Sequence, residues 1–206
     1  MDGWLACRTV VLVVGAALFG CDGLVGEVDE RDGESPADVD MYVGAVGKTD
    51  MVVGVSHADD KLRIYTCAGP AHLETSRWFK GSVGDGPFEL VNGAWSITGA
   101  WVEGRLEGTL HTPEGDALPW SADPVAGDTH AGLYAATTGS CTSGVVIQQA
   151  TPDGPLQAQG TWCDGQGHFA QIIILSPLVA TARGIAVAVA GRRGAGQSFY
   201  VTPATP

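Results

Sequence analysis

Basic residues are scarce in this chain: 11 Lys and Arg stand against 23 Asp and Glu, a formal net charge of −12. Nucleic-acid binding needs a basic footprint on the protein, so no nucleic-acid partner is expected. Anionic lipid headgroups would not attract such a chain either. Histidine is sparse as well. His57, His72, His111, His130 and His168 form neither an H-E-x-x-H motif nor a Cys/His zinc spacing, so no metal and no cofactor is assigned. His57-Ala-Asp59-Asp60 is their densest acidic neighbourhood, and turn chemistry explains acids there. There is no G-x-S-x-G elbow, no S-x-x-K and no phosphate loop. Cys67 with a distant His is a thiol candidate, and Glu103 with Glu107 a carboxylate pair. A leftover strand-end cysteine and solubilising charges opposed by Arg105 explain these residues more simply. No residue is given a catalytic role, and the chain reads as a protein that is not an enzyme.

A bilayer-spanning run is also missing. The uninterrupted apolar segment Val10 to Phe19 is shorter than the about 20 residues a membrane helix requires. It fits the apolar part of a secretory signal, about 7–15 residues long. The run from Ile172 to Ala190 is broken by Pro177, Arg183 and Gly184, which predicts two adjacent strands. The first run ends in Leu18-Phe19-Gly20-Cys21. These residues resemble the lipobox of bacterial lipoproteins, with Phe19 standing where that family prefers a small residue. The resemblance implies a signal peptide over 1–20 and a lipid such as palmitate on Cys21, which becomes the mature amino end. An ordinary cleaved signal is the alternative. A lipid-anchored reading places the protein in the cell envelope, on a membrane and facing the periplasm or the exterior. More than one acyl chain makes such an anchor stable.

Residues 21–40 hold eight acids and one base, Arg31, with little apolar content. Such a segment cannot build a core. It reads as a disordered, self-repelling tether, since no spacing in it matches an EF-hand loop.

From Met41 the chain changes character. About 165 residues are enough for one domain. Turn signals recur at Asp59-Asp60, Gly84-Asp85-Gly86-Pro87, Asn92-Gly93, Pro113-Glu114-Gly115-Asp116, Pro152-Asp153-Gly154-Pro155 and Asp164-Gly165. The runs between them are rich in Val, Ile, Thr and aromatics. The spacing predicts an all-β domain over 41–206, an antiparallel β-barrel or sandwich. Residues 101–112 read as one strand, with Val102, Leu106 and Leu110 on the buried face. Gly93-Ala-Trp95, Gly99-Ala-Trp101 and Gly160-Thr-Trp162 each put a ring beside a glycine on one strand face, a packing device. The same pattern resembles the G-x-W of lipocalins, although there it lies in the first strand.

A faint repeat is visible. Tyr42 and Tyr134 each precede an aliphatic residue, Val55 and Ile147, by 13 positions, and a cysteine before a later glycine follows (Cys67, Cys163). Two duplicated β-meanders, 41–128 and 129–206, would account for it.

With Cys7 in the leader and Cys21 carrying lipid, Cys67, Cys141 and Cys163 remain. A hairpin around Pro152-Asp153-Gly154-Pro155 sets Cys163 opposite residue 143 to 145, near Cys141. The expected disulfide is Cys141–Cys163, with Cys67 free.

The functional reading is a membrane-anchored, non-enzymatic envelope lipoprotein that serves as a binding or structural β-module. Its partners are the membrane, through the lipid on Cys21, and an envelope protein. One variant inhibits an envelope hydrolase: Arg63-Ile-Tyr-Thr-Cys67 distantly resembles the Tyr-x-Cys segment of small lipoprotein inhibitors of lysozyme, without their Ser-Gly-x-x-Tyr loop. The alternative is a lipocalin-like carrier of a small apolar ligand.

Overall fold

The computed structural model describes residues 39–84, 86–127, 129–149, 154–175, 179–190 and 197–206. The signal segment, Cys21 and all but the last two residues of the acidic segment lie outside them. The described part is antiparallel β-structure throughout, apart from one 3₁₀ turn at Leu73–Thr75.

The first eight strands are β1 (Asp40–Val46), β2 (Val52–Ala58), β3 (Lys61–Cys67), β4 (Arg77–Ser82), β5 (Phe88–Asn92), β6 (Trp95–Val102), β7 (Arg105–His111) and β8 (Ala117–Pro124). They form one sheet in the order β4-β3-β2-β1-β8-β7-β6-β5. Each strand lies beside its sequence neighbour, and β8 returns to pair with β1, so the sheet curls into an up-and-down barrel. One seam, between β4 and β5, has no ladder. It is bridged instead by Asn92 Nδ2, which donates to the carbonyl of Trp78 at 2.8 Å. Leu90 covers Gly81 across the same seam.

The remaining strands are β9 (Gly132–Thr138), β10 (Cys141–Gln149), β11 (Leu156–Cys163), β12 (Phe169–Ile174), β13 (Ala180–Thr181), β14 (Gly184–Val189) and β15 (Ser198–Pro203). Their order is β12-β11-β10-β9-β15-β14-β13, and β12 also pairs with β14. That last ladder closes a six-stranded barrel. The described part of the apolar run from Ile172 onward holds the paired strands β12 and β14, with the two-residue β13 between them in sequence, rather than two strands alone. Both sheets place the first strand of their half beside its last, β1 on β8 and β9 on β15.

The first barrel is filled by side chains from alternate positions. Leu62, Ile64, Phe79, Ile97, Leu106 and Leu110 are fully buried there, each contributing about 1.5–3 kcal/mol through loss of apolar surface to water. An eight-stranded barrel is just wide enough for such filling. Tyr134, Val145, Ile147, Trp162, Ile172 and Val187 play the same part in the second.

Two readings need correction. Residues 101–112 are not one strand. Glu103 and Gly104, at φ 50° and 84°, make a two-residue turn with Val102 opposite Arg105. Both central residues have positive φ, the requirement of a type I′ hairpin. The turn moves the inward set from odd to even numbers. Leu106 and Leu110 are buried, whereas Val102 is 43% exposed. The second is that none of the three Gly-x-Trp glycines packs against its own tryptophan. Gly93, at φ 62°, sits in the turn before Trp95, and a Cβ there would meet nothing. The atoms nearest a Cβ on Gly160 belong to Gly144, Val145 and Ile172. The rings over Gly99 come from other strands: a Cβ there would meet Phe88 at 2.6 Å and Trp120 at 2.8 Å. Trp101 instead packs edge-on against Phe88 and near His57.

Candidate functional site

A strand wet on one face should alternate in burial. β2 does not: Val52 to Ser56 are all buried, and so are Ser143 to Ile147 of β10. These strands are covered twice, once by their own barrel and once by the other. The shared layer contains Val52, Tyr65 and Cys67 of the first half and Leu133, Val146 and Ala204 of the second.

Close approach here requires residues without a side chain. A Cβ on Gly54 would lie 3.0 Å from Val146 Cγ2 and 3.1 Å from Leu133 Cδ1. On the other side, a Cβ on Gly144 would fall 2.5 Å from Cε1 of Tyr65. Each barrel therefore offers a glycine that receives side chains of the other. Gly54 precedes the Val55 that pairs with Tyr42, and Gly144 precedes the Val145 that pairs with Tyr134. The two glycines hold matching places in the two meanders.

Beside this layer the barrels part and leave a cleft of about 290 Å³. Strand β4 supplies Arg77, Trp78 and Lys80, and β5 supplies Asn92. The second half supplies Ser140, Thr142, Phe169 and the Cys141–Cys163 disulfide. Trp78 Nε1 donates to the carbonyl of Thr142 at 3.0 Å and ties the two walls together. Tyr65 backs Trp78, with ring centroids 4.5 Å apart, and the Arg63 guanidinium lies 5.0 Å from the Trp78 centroid. At the base the hydroxyls of Ser76 and Thr161 are hydrogen-bonded at 2.9 Å, and Cys67 Sγ lies 3.6 Å from Thr161 Oγ1.

The disulfide stands where the sequence set it, with 6.0 Å between its Cα atoms. The β10–β11 ladder ends at Gln149 opposite Leu156, a longer connection than the two-to-five-residue loop that located the pairing. Cys67 is a free thiol and fully buried. Burial raises its pKa, outweighing the hydroxyls of Thr161 and Ser76 that favour the thiolate. Reactive cysteines are partly exposed with a lowered pKa, so Cys67 has the environment of a packing residue. Tyr65 is raised well above its ordinary value, first by burial and then by the neighbouring Cys67.

Other sequence candidates lie elsewhere. His57 is 4.0 Å from Asp40 and faces Trp101 at the far end of the first barrel. Glu107 pairs with Arg105, which also reaches Asp123, while Glu103 sits on the turn. A shallower groove of about 470 Å³ crosses β5, β6 and β7 beside Phe88, Thr98 and Glu107. It gathers fewer kinds of chemistry than the junction cleft. No sequence motif marks Arg77, Trp78, Lys80 or Thr142, and Asn92 stands out only as part of a turn. The available signal was the doubly apolar stretch Met51-Val-Val-Gly-Val55, which marks a strand covered on both faces.

The fold and the cleft together define a tandem β-barrel with a solvent-open site at its joint. Comparison with protein family models, curated proteins and solved structures finds no match to this chain.

Proposed function

We propose that this chain is a non-enzymatic binding module of the bacterial cell envelope. A lipid on Cys21 holds it to a membrane, the acidic segment 21–40 spaces it from the surface, and the junction cleft receives the partner. The observation that carries the reading is the cleft itself. Aromatic, cationic and hydroxyl side chains from two barrels line one recess, and the barrels are joined by a packed apolar layer. A few polar groups set in apolar walls are what binding sites offer. An envelope hydrolase is one partner of this kind. Because Tyr65 and Cys67 are buried, contact would come from the rim of the cleft rather than from the Tyr-x-Cys segment. The carrier alternative has the eight-stranded architecture in its favour, but its ligand would have to displace the side chains that fill the first barrel.

Photo-cross-linking in the producing cell tests the site. A photo-reactive residue replacing Thr142 should trap a defined adduct that one replacing Val102, at the far end of β6, does not. Equal trapping from both positions, or none from Thr142, overturns the reading. Radioactive palmitate tests the anchor: it should label the chain and leave Cys21→Ala unlabelled.

A further inference from the structure

The excess of acid does not extend to the junction. Residues 41–206 contain nine bases and fourteen acids, yet four of those bases, Lys61, Arg63, Arg77 and Lys80, lie on β3 and β4. Among the described residues, no Asp or Glu lines the cleft that Arg77 and Lys80 enter.

The arrangement has an electrostatic cost. Arg63 and Lys80 are direct cross-strand partners, and like charges placed so repel. Among the described residues of the first barrel, Arg105 pairs with Glu107 and Asp123, and Asp40 and Glu74 approach His57 and His72; none of these carboxylates pairs with the four cations. Arg63 places Nη1 on the carbonyl of Thr205 at 2.8 Å, while its Nε is buried without a partner. Arg77 spends Nη1 on the backbone carbonyls of Glu74 and Ser76 and stacks over Trp95, 5.4 Å from the ring centroid. Lys80 is exposed, and among the described residues no carboxylate forms an ion pair with it. An anion in the cleft would relieve the repulsion.

Resting on the binding reading above, we propose that the junction cleft takes the phosphoryl group of a small ligand. Lys80 and Arg77 face its charge, and the hydroxyls of Ser140 and Thr142 supply neutral donors. A phosphoryl group presents several acceptor oxygens at once and suits donors arriving from separate elements. A cleft of about 290 Å³ matches a ligand the size of glycerol phosphate or a sugar phosphate rather than a polymer. The Trp78 edge and Phe169 give its organic part an apolar wall.

Amide chemical shifts of the full mature protein, at constant ionic strength, supply the test. The probes are inorganic phosphate, glycerol 3-phosphate, glucose, and vesicles of phosphatidylglycerol. Phosphate and glycerol 3-phosphate should move the amides of Lys80, Asn92 and Thr142. Lys80→Gln should weaken binding about tenfold, Lys80→Arg should restore it, and Lys61→Gln, an exposed cation outside the cleft, should leave it unchanged. Equal weakening by Lys61→Gln overturns the proposal in favour of diffuse charge attraction. Shifts with glucose and none with phosphate overturn the phosphoryl assignment and leave the binding reading standing. No shift with any probe, together with no adduct from position 142, overturns both. A response to vesicles alone keeps the phosphoryl chemistry and assigns it to a lipid headgroup.

Discussion

The ring of Tyr65, on the outer face of the first barrel, occupies the space that a Cβ on Gly144 of the second would need, 2.5 Å from that position to Cε1. The backbone at Gly144 has no positive φ, so the requirement for glycine there is steric. The ring must yield or the barrels must separate. Gly144→Ala should therefore destabilise the protein by about 1–3 kcal/mol, the usual cost of overpacking. Gly84→Ala is the control, since a Cβ there meets nothing; it should be neutral or stabilising by about 0.4–1 kcal/mol. Denaturant melts of the two variants check both outcomes, and equal midpoints would count against the interface.

The disulfide closes a sequence separation of 22 residues between the open ends of the β10–β11 hairpin. A loop of that size contributes about 3 kcal/mol through the unfolded state. The double variant Cys141→Ala/Cys163→Ala should lose about that much. Peptide mapping without reduction should find Cys141 joined to Cys163, and Cys67 should accept an alkylating reagent only after unfolding. Rapid labelling of Cys67 in the native protein would contradict its place in the shared layer.

Alkaline pH should loosen the joint. Burial raises the pKa of both Cys67 and Tyr65 above their ordinary values of 9.0 and 10.0. The folded state therefore keeps protons that the unfolded state releases. Stability is fully present below pH 9.0 and falls as pH climbs through the ordinary thiol value and then the phenol value. Melts between pH 7 and 11 should show this decline, and Cys67→Ala should flatten its first part. A profile level to pH 11 in the unmodified protein would refute the assignment.

Much of the fold was legible because turn chemistry and period-two burial are local. Asn92-Gly93 and Asp59-Asp60 mark hairpins that the structure contains. Glu103-Gly104 escaped notice because apolar residues at 102, 106 and 110 continue an even-numbered pattern straight across the turn. Only a second positive φ at Glu103 reveals the reversal of faces. The 13-residue spacing of the faint repeat coincides with strand pairing in one half only. Tyr42 pairs with Val55, whereas Tyr134 pairs with Val145 and not with Ile147, because the first hairpin has the longer connection. The cleft was not legible at all. Its walls, β4 with β5 and β10 with β12, come from opposite barrels, and no local pattern encodes which outer faces will meet. Cys141–Cys163 was the exception: both cysteines belong to one hairpin, so register alone brings them together.

The account depends on the two barrels behaving as one body, because only a fixed joint holds the cleft open in one shape. Equilibrium unfolding followed by amide resonances at Ile97, inside the first barrel, and at Ile172, inside the second, tests this directly. The account predicts one shared midpoint at both positions, with Gly144→Ala shifting the two together. Two separated transitions, with the second barrel melting while Ile97 keeps its native resonance, would contradict it.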